Sequence, residues 1–243
     1  MRASFRRIRK GVRLTLRLLA DLPQIVRILG REIQRKGLWV AAEGVIFEDF
    51  DPAVHVLPRF EIPPEWTRWW VVDFGFTNPF VLQCWAEDGD GRLFMYREIY
   101  HTRRTVDQHA ATILDNVAPL DDAQRRRVDA GLPVPLRERR WLEPKPRGVI
   151  CDHDAEGRET FSQAVGLGTI PADKRVIYGL EAAQRRFRRR DDGRPGIYLL
   201  ADSLVQLDQD LVEAKLPTRT VEEIPAYVWD QSPGKPPNDE PRK

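Results

Sequence analysis

The sequence offers little from which a disulfide or zinc framework could be built. Only two of its 243 residues are cysteine, Cys84 and Cys151, and four are histidine. Both cysteines fall inside apolar runs, where they read as small core hydrophobes of a reducing compartment. Neither CxxC nor HExxH occurs, which excludes the common zinc arrangements. No apolar run approaches the roughly 20 residues that a membrane-spanning helix needs. The Arg-rich start is interrupted at Arg13, Arg17 and Arg27 and lacks a small-residue cleavage site, so it does not read as a secretory signal. GxxxxGK[ST] is absent, and with it a P-loop ATP site. Asp73-Phe74-Gly75 matches the kinase metal motif, yet neither the Gly-rich loop nor the HRD string accompanies it.

What is present is a soluble-type composition, 42% hydrophobic and 31% charged, with charge unevenly spread. Residues 1–36 hold eleven basic residues against Asp21 and Glu32, although the formal net charge of the chain is only +2. The rest of the chain is therefore acidic. The pattern divides the chain into a basic helical arm (1–36), a connector (37–66), a main domain (67–230) and a Pro-rich disordered tail (231–243).

Residues 68–100, RWWVVDFGFTNPFVLQCWAEDGDGRLFMYREIY, organise the main domain. Aromatic and β-branched runs at 69–72, 80–85 and 93–100, separated by Gly/Asp punctuation, predict a three-stranded antiparallel meander. A helix is predicted over 102–117, with Thr105 as N-cap and Val106, Ala110, Ile113 and Leu114 as its apolar stripe. Residues 119–147 read as a polar surface insertion whose Asp121-Asp122 begin a helix. Strands follow at 148–151 and 197–200, with helices at 158–165 and 182–190. The expectation is an α/β fold on a mixed five-stranded sheet, a meander plus parallel strands, flanked by helices.

Two of these strands end in carboxylates: Asp73 after the first, and Asp152-His153-Asp154 after the fourth. If those ends lie side by side, the like charges raise one another's pKa unless a cation neutralises them. Hard divalent cations prefer oxygen ligands, which points to Mg2+ or Mn2+. Two such ions about 3.5–4 Å apart suit phosphodiester cleavage. Local readings compete: Asp73 as an Asx-turn residue, Asp152 or Asp154 as helix caps, His153 as a surface histidine, and Glu98 on a solvated strand face. The dense basic run Arg185, Arg186, Arg188, Arg189 and Arg190 reads equally as a DNA-phosphate contact or as a solvated helix face.

VVDFGFTNPFVLQCWAEDGDGRLFMYREIYHTRRTVDQHA, with GVICDHDAEGRETF downstream, resembles the nuclease portion of tailed-phage terminase large subunits. GLWVAAEGVIFEDFDPAVHVL is similar to the segment joining motor to nuclease in that family. The resemblance implies an RNase H-like nuclease domain that cuts double-stranded DNA during viral genome packaging with a two-metal Mg2+ or Mn2+ site. Asp73 matches the first acid and Asp152 the second, with Asp154 as the alternative in the DHD string. The implied partners are DNA, portal, small terminase and a separate ATPase chain, with no membrane. The implied place of action is the host cytoplasm and, transiently, the procapsid portal. The family's packaging ATPase has no counterpart here. Nor does its third acid, which sits in a DHAMDALRY-like string; Asp239 and Glu240 stand in a Pro-broken context instead. The alternative expectation is a catalytically impaired fragment that only binds DNA or packaging partners. Another RNase H-like enzyme, such as a resolvase or transposase, is disfavoured by the terminase-like connector.

Overall fold

Trp69, Trp70, Val71 and Val72 are apolar on both sides of the chain, a pattern that only a strand covered on both faces can satisfy. The computed structural model, which describes residues 45–152, 154–173 and 176–229, places them in β2 (Thr67–Asp73), near the middle of the sheet. The expectations for residues 1–36, His153, Asp239, Glu240 and the 231–243 tail lie outside the described residues.

The meander forms as predicted: β2 pairs antiparallel with β3 (Phe80–Glu87), and β3 with β4 (Leu93–His101). On the other side of β2, β5 (Gly148–Cys151) runs parallel to it, and β7 (Ile197–Leu200) runs parallel to β4. The sheet has seven strands, not five. The additions are short edge strands, β1 (Val56–Leu57) beside β7 and β6 (Thr169–Pro171) beside β5. The order is β1-β7-β4-β3-β2-β5-β6.

Helices cover both faces. Helix α1 (Pro52–His55) leads into β1. Helix α2 (Val106–Val117) begins at the predicted cap, where Thr105 and Gln108 form a reciprocal capping box. Asp121 caps α3 (Asp122–Asp129) in the same way, and α3 buries none of its residues, as a polar insertion should. Helix α4 (Ala155–Val165) follows β5; α5 (Val176–Phe187) precedes β7; α6 (Gln209–Glu213) and α7 (Thr220–Glu223) come after it, and a 3-10 turn (Ile224–Ala226) follows α7. Alternation along the strands separates two cores. Trp70, Val72, Leu82 and Cys151 pack with Ile113 and Val117 of α2 and Phe161 of α4. Trp69, Val71, Val81 and Ile150 pack with Leu180 and Phe187 of α5, and with Ile224 and Tyr227. Ile46 and Phe47 join this second core, so the described part of the connector packs into the same body. Cys84 and Cys151 are free and buried. Among the described residues no helix is long and apolar enough to cross a membrane.

Candidate active site

The parallel register of β2 and β5 decides which carboxylates can meet. Val72 is opposite Cys151, and the Asp152 amide donates to the Val72 carbonyl at 3.1 Å. Carried one residue further, that ladder sets Asp73 beside Asp152. Both then project to the face of Val71 and Ile150, because side chains alternate along a strand. Asp73 is only 6% exposed. Burial, first, and then the charges of Asp152 and Glu223 push its carboxyl well above the ordinary range.

Glu223 is the member of this group that the sequence did not reveal. It closes α7, is buried, and accepts a hydrogen bond from the Tyr100 hydroxyl at 2.7 Å. Behind it, Thr220 of the same helix donates its amide to both oxygens of Glu98, at 3.1 and 3.2 Å, and its hydroxyl to Oε1. Gln83 donates to the Thr220 hydroxyl at 2.7 Å. Glu98 is therefore not on a solvated face: it is fully buried, and burial pushes its carboxyl up to about 7. These bonds fasten α7 over the sheet and bring Glu223 to Asp73. An acid pair in a Pro-flanked short helix, Glu222-Glu223, carries no signature that would have singled it out.

The DHD string divides its roles. Asp152 is half-buried and electrostatically coupled to Asp73. Asp154 is exposed and caps α4, accepting the Glu156 amide at 3.2 Å. Gly157 lies beneath this turn because a Cβ there would stand 2.9 Å from the Asp154 carboxylate and 3.1 Å from the Phe74 ring. His109, stacked on Phe80 at 3.9 Å, is held neutral by burial, its pKa pushed down to about 3.

The basic run lies elsewhere. Arg186 is buried and donates to the Gly91 carbonyl at 3.1 Å; burial lowers its pKa to about 10. Arg190 donates to the carbonyls of Asp90 and Gly91, Arg189 to that of Gly193, and Arg188 to the Asp49 carboxylate. Arg185 is exposed. The bonds of Arg186 and Arg190 pin the end of α5 to the β3–β4 turn, at the opposite end of β3 from Asp73.

Among the described residues, no group of three or more His, Cys, Asp or Glu side chains is arranged to hold a metal ion. The donor chemistry of the Asp73–Asp152 pair nevertheless fits a hard cation. Its ligands are carboxylate oxygens, Mg2+ is commonly bound through one or two carboxylates and several waters, and a positive charge would relieve the repulsion that raises Asp73.

No protein-family model and no curated protein matches the sequence. Solved structures do match in fold. The large terminase of a thermophilic bacteriophage superimposes with a TM-score of 0.53 and 21% identity, over 85% of this chain and 43% of that one. The same protein in complex with ATP-gamma-S gives 0.54 at 21% identity. The large terminase nuclease domain of phage P22 gives 0.50 at 13% identity, over 78% of this chain and 81% of that domain. This chain thus spans under half the length of the thermophilic phage's terminase and most of the length of the P22 domain. The fold is that of a large-terminase nuclease domain, an RNase H-like mixed sheet between layers of helices.

Proposed function

We propose that this chain is the nuclease portion of a phage terminase large subunit, a divalent-metal-dependent endonuclease that cuts double-stranded DNA during viral genome packaging. The observation that carries the reading is the meeting of Asp73 and Asp152 at the ends of two adjacent, parallel, interior strands. A carboxylate at the end of a buried strand is rigidly aimed, which suits a metal ligand. The likeness to the P22 nuclease domain supports the same reading.

Asp73 and Asp152 would hold Mg2+ or Mn2+, with Asp154 alongside at the α4 cap. The bound cation would supply an activated water and stabilise the leaving oxygen of the cut phosphodiester. The chain's own part is positional. The β2–β5 ladder fixes the spacing of the two acids, and burial removes the water that would otherwise screen Asp73. DNA is the proposed substrate. Portal, small terminase and a separate ATPase chain are the proposed partners, at the procapsid portal in the host cytoplasm.

Supercoiled plasmid incubated with Mn2+ tests the assignment. Nicking should fall by on the order of 100-fold or more in Asp73→Ala and in Asp152→Ala. Equal nicking by native chain and Asp73→Ala rejects it. The engagement of Asp154 as the α4 cap, beside a pair of acids at Asp73 and Asp152, supports a second reading, a chain that binds DNA without cutting. DNA binding with no Mn2+-dependent nicking by the native chain would select it.

A further inference from the structure

The β2–β3 loop begins directly after Asp73 and carries Phe76, which is 58% exposed, the only aromatic among the exposed large hydrophobic side chains of the described residues. Phe76 is not on a loose tip. Phe74 packs toward Phe80 and Phe161, with ring centroids 6.1 and 6.3 Å away. At Gly75 the chain folds back so tightly that a Cβ would collide with the carbonyl oxygens of Pro79 and Asn78, the latter at 2.6 Å. The Phe76 carbonyl accepts the Arg103 amide at 2.7 Å, and Arg103 is left-handed, with φ of 56°, a conformation uncommon outside glycine. Next to it, Thr102 donates both its amide and its hydroxyl to buried Asp208 at 2.7 Å. The aromatic is thus held outward by three tied segments, at most about 11 Å of chain from the Asp73 Cα.

The charge beside it is positive and accessible. The Arg103 side chain is 72% exposed and is paired with the half-exposed Asp210, at 3.1 Å, a contact that a phosphate can replace at little cost. Arg104 reaches Gln206 at 2.9 Å on the same rim. An exposed ring on a rigid loop with guanidinium groups beside it matches the way nucleic-acid proteins stack on an unstacked base while gripping the backbone.

We propose that Phe76 stacks against a base of the DNA next to the phosphate presented to Asp73, opening that base step, while Arg103 holds the adjoining phosphate. This rests on the nuclease reading for its substrate. The consequence is a preference for DNA whose base step opens readily, such as a TA step or a mismatch.

The test uses the full chain in EDTA, so that no strand is cut, with duplexes carrying 2-aminopurine at successive positions. Binding by the native chain should brighten the probe at one or two positions. Phe76→Ala should lose that signal and bind roughly 5- to 150-fold more weakly, the equivalent of one base stacked on an aromatic ring. Phe76→Trp should keep both, and the melting midpoints of all three should agree, since the side chain is exposed. Unchanged brightening and affinity in Phe76→Ala overturn the proposal. Failure of the native chain to bind or brighten any duplex overturns it as well. Plasmid nicking is scored separately, so a native chain that brightens the probe but does not cut removes the nuclease reading and leaves the stacking intact.

Discussion

Glu98 gives the sharpest physical prediction. Its ordinary pKa of 4.5 is raised to about 7 because burial disfavours the charged form more than the Thr220 and Gln83 hydrogen bonds favour it. A carboxyl whose folded pKa lies above its unfolded one binds protons more tightly in the native state. Its contribution is complete below pH 4.5 and is lost as pH rises through about 7. Between pH 5 and pH 8 the loss amounts to roughly 2–3 kcal/mol, at about 1.4 kcal/mol per unit. Glu98→Gln keeps an acceptor for the Thr220 amide and removes the titration, so this part of the pH dependence should vanish. Urea unfolding of both chains at pH 5 and pH 8 reads the effect. Relative to native, Glu98→Gln should gain roughly 2–3 kcal/mol over that range. In a thermal melt this is roughly 5–10 °C for a body of this size. Other titrating groups, buried His109 among them, act on both chains and cancel in the comparison. Parallel pH profiles for the two chains would refute the assignment of a buried, partly neutral Glu98 beneath α7.

Two further outcomes follow from the acid group and its loop. Mn2+ at about 100 times its dissociation constant should add about 2.7 kcal/mol of stability at pH 8, read as a melting shift of roughly 5–10 °C. The shift should disappear in Asp73→Asn and shrink toward pH 5, because burial, Asp152 and Glu223 make Asp73 hold its proton against the metal. Gly75→Ala should destabilise by about 1–3 kcal/mol, because the new Cβ meets the backbone carbonyls of Asn78 and Pro79 and not a side chain that can move aside. Its nicking should fall with it; a Gly75→Ala chain with native melting and native nicking would show that the loop can relax.

How far these features were legible in the sequence depended on how local their causes are. The meander was readable from runs of residues that are apolar on both faces, and Thr105 and Asp121 from short-range capping chemistry. Strands β1 and β6, two and three residues long, have no periodicity to read, and exist because β7 and β5 offer them an edge. The DHD string favoured Asp152 but left Asp154 as its alternative; the β2–β5 register sets Asp152 beside Asp73, and a bond two residues away gives Asp154 a capping role. Arg186 and Arg190 look like a basic patch in sequence because the carbonyls that engage them, at Asp90 and Gly91, lie about a hundred residues earlier.

The acids show the same division most clearly. Asp73 announced itself by ending an apolar strand. Glu98 and Glu223, equally buried, did not, because the groups that make their burial tolerable are Thr220, 122 residues from Glu98, and Tyr100, 123 residues from Glu223. A buried carboxylate persists only where hydrogen bonds or opposite charge offset its desolvation. Those two long-range bonds both end on α7, so that one turn of helix both shelters Glu98 and adds negative charge beside Asp73 and Asp152. The arrangement raises the cost of leaving Asp73 charged without a cation, and it follows from the packing of α7 on the sheet, not from any spacing within a single segment.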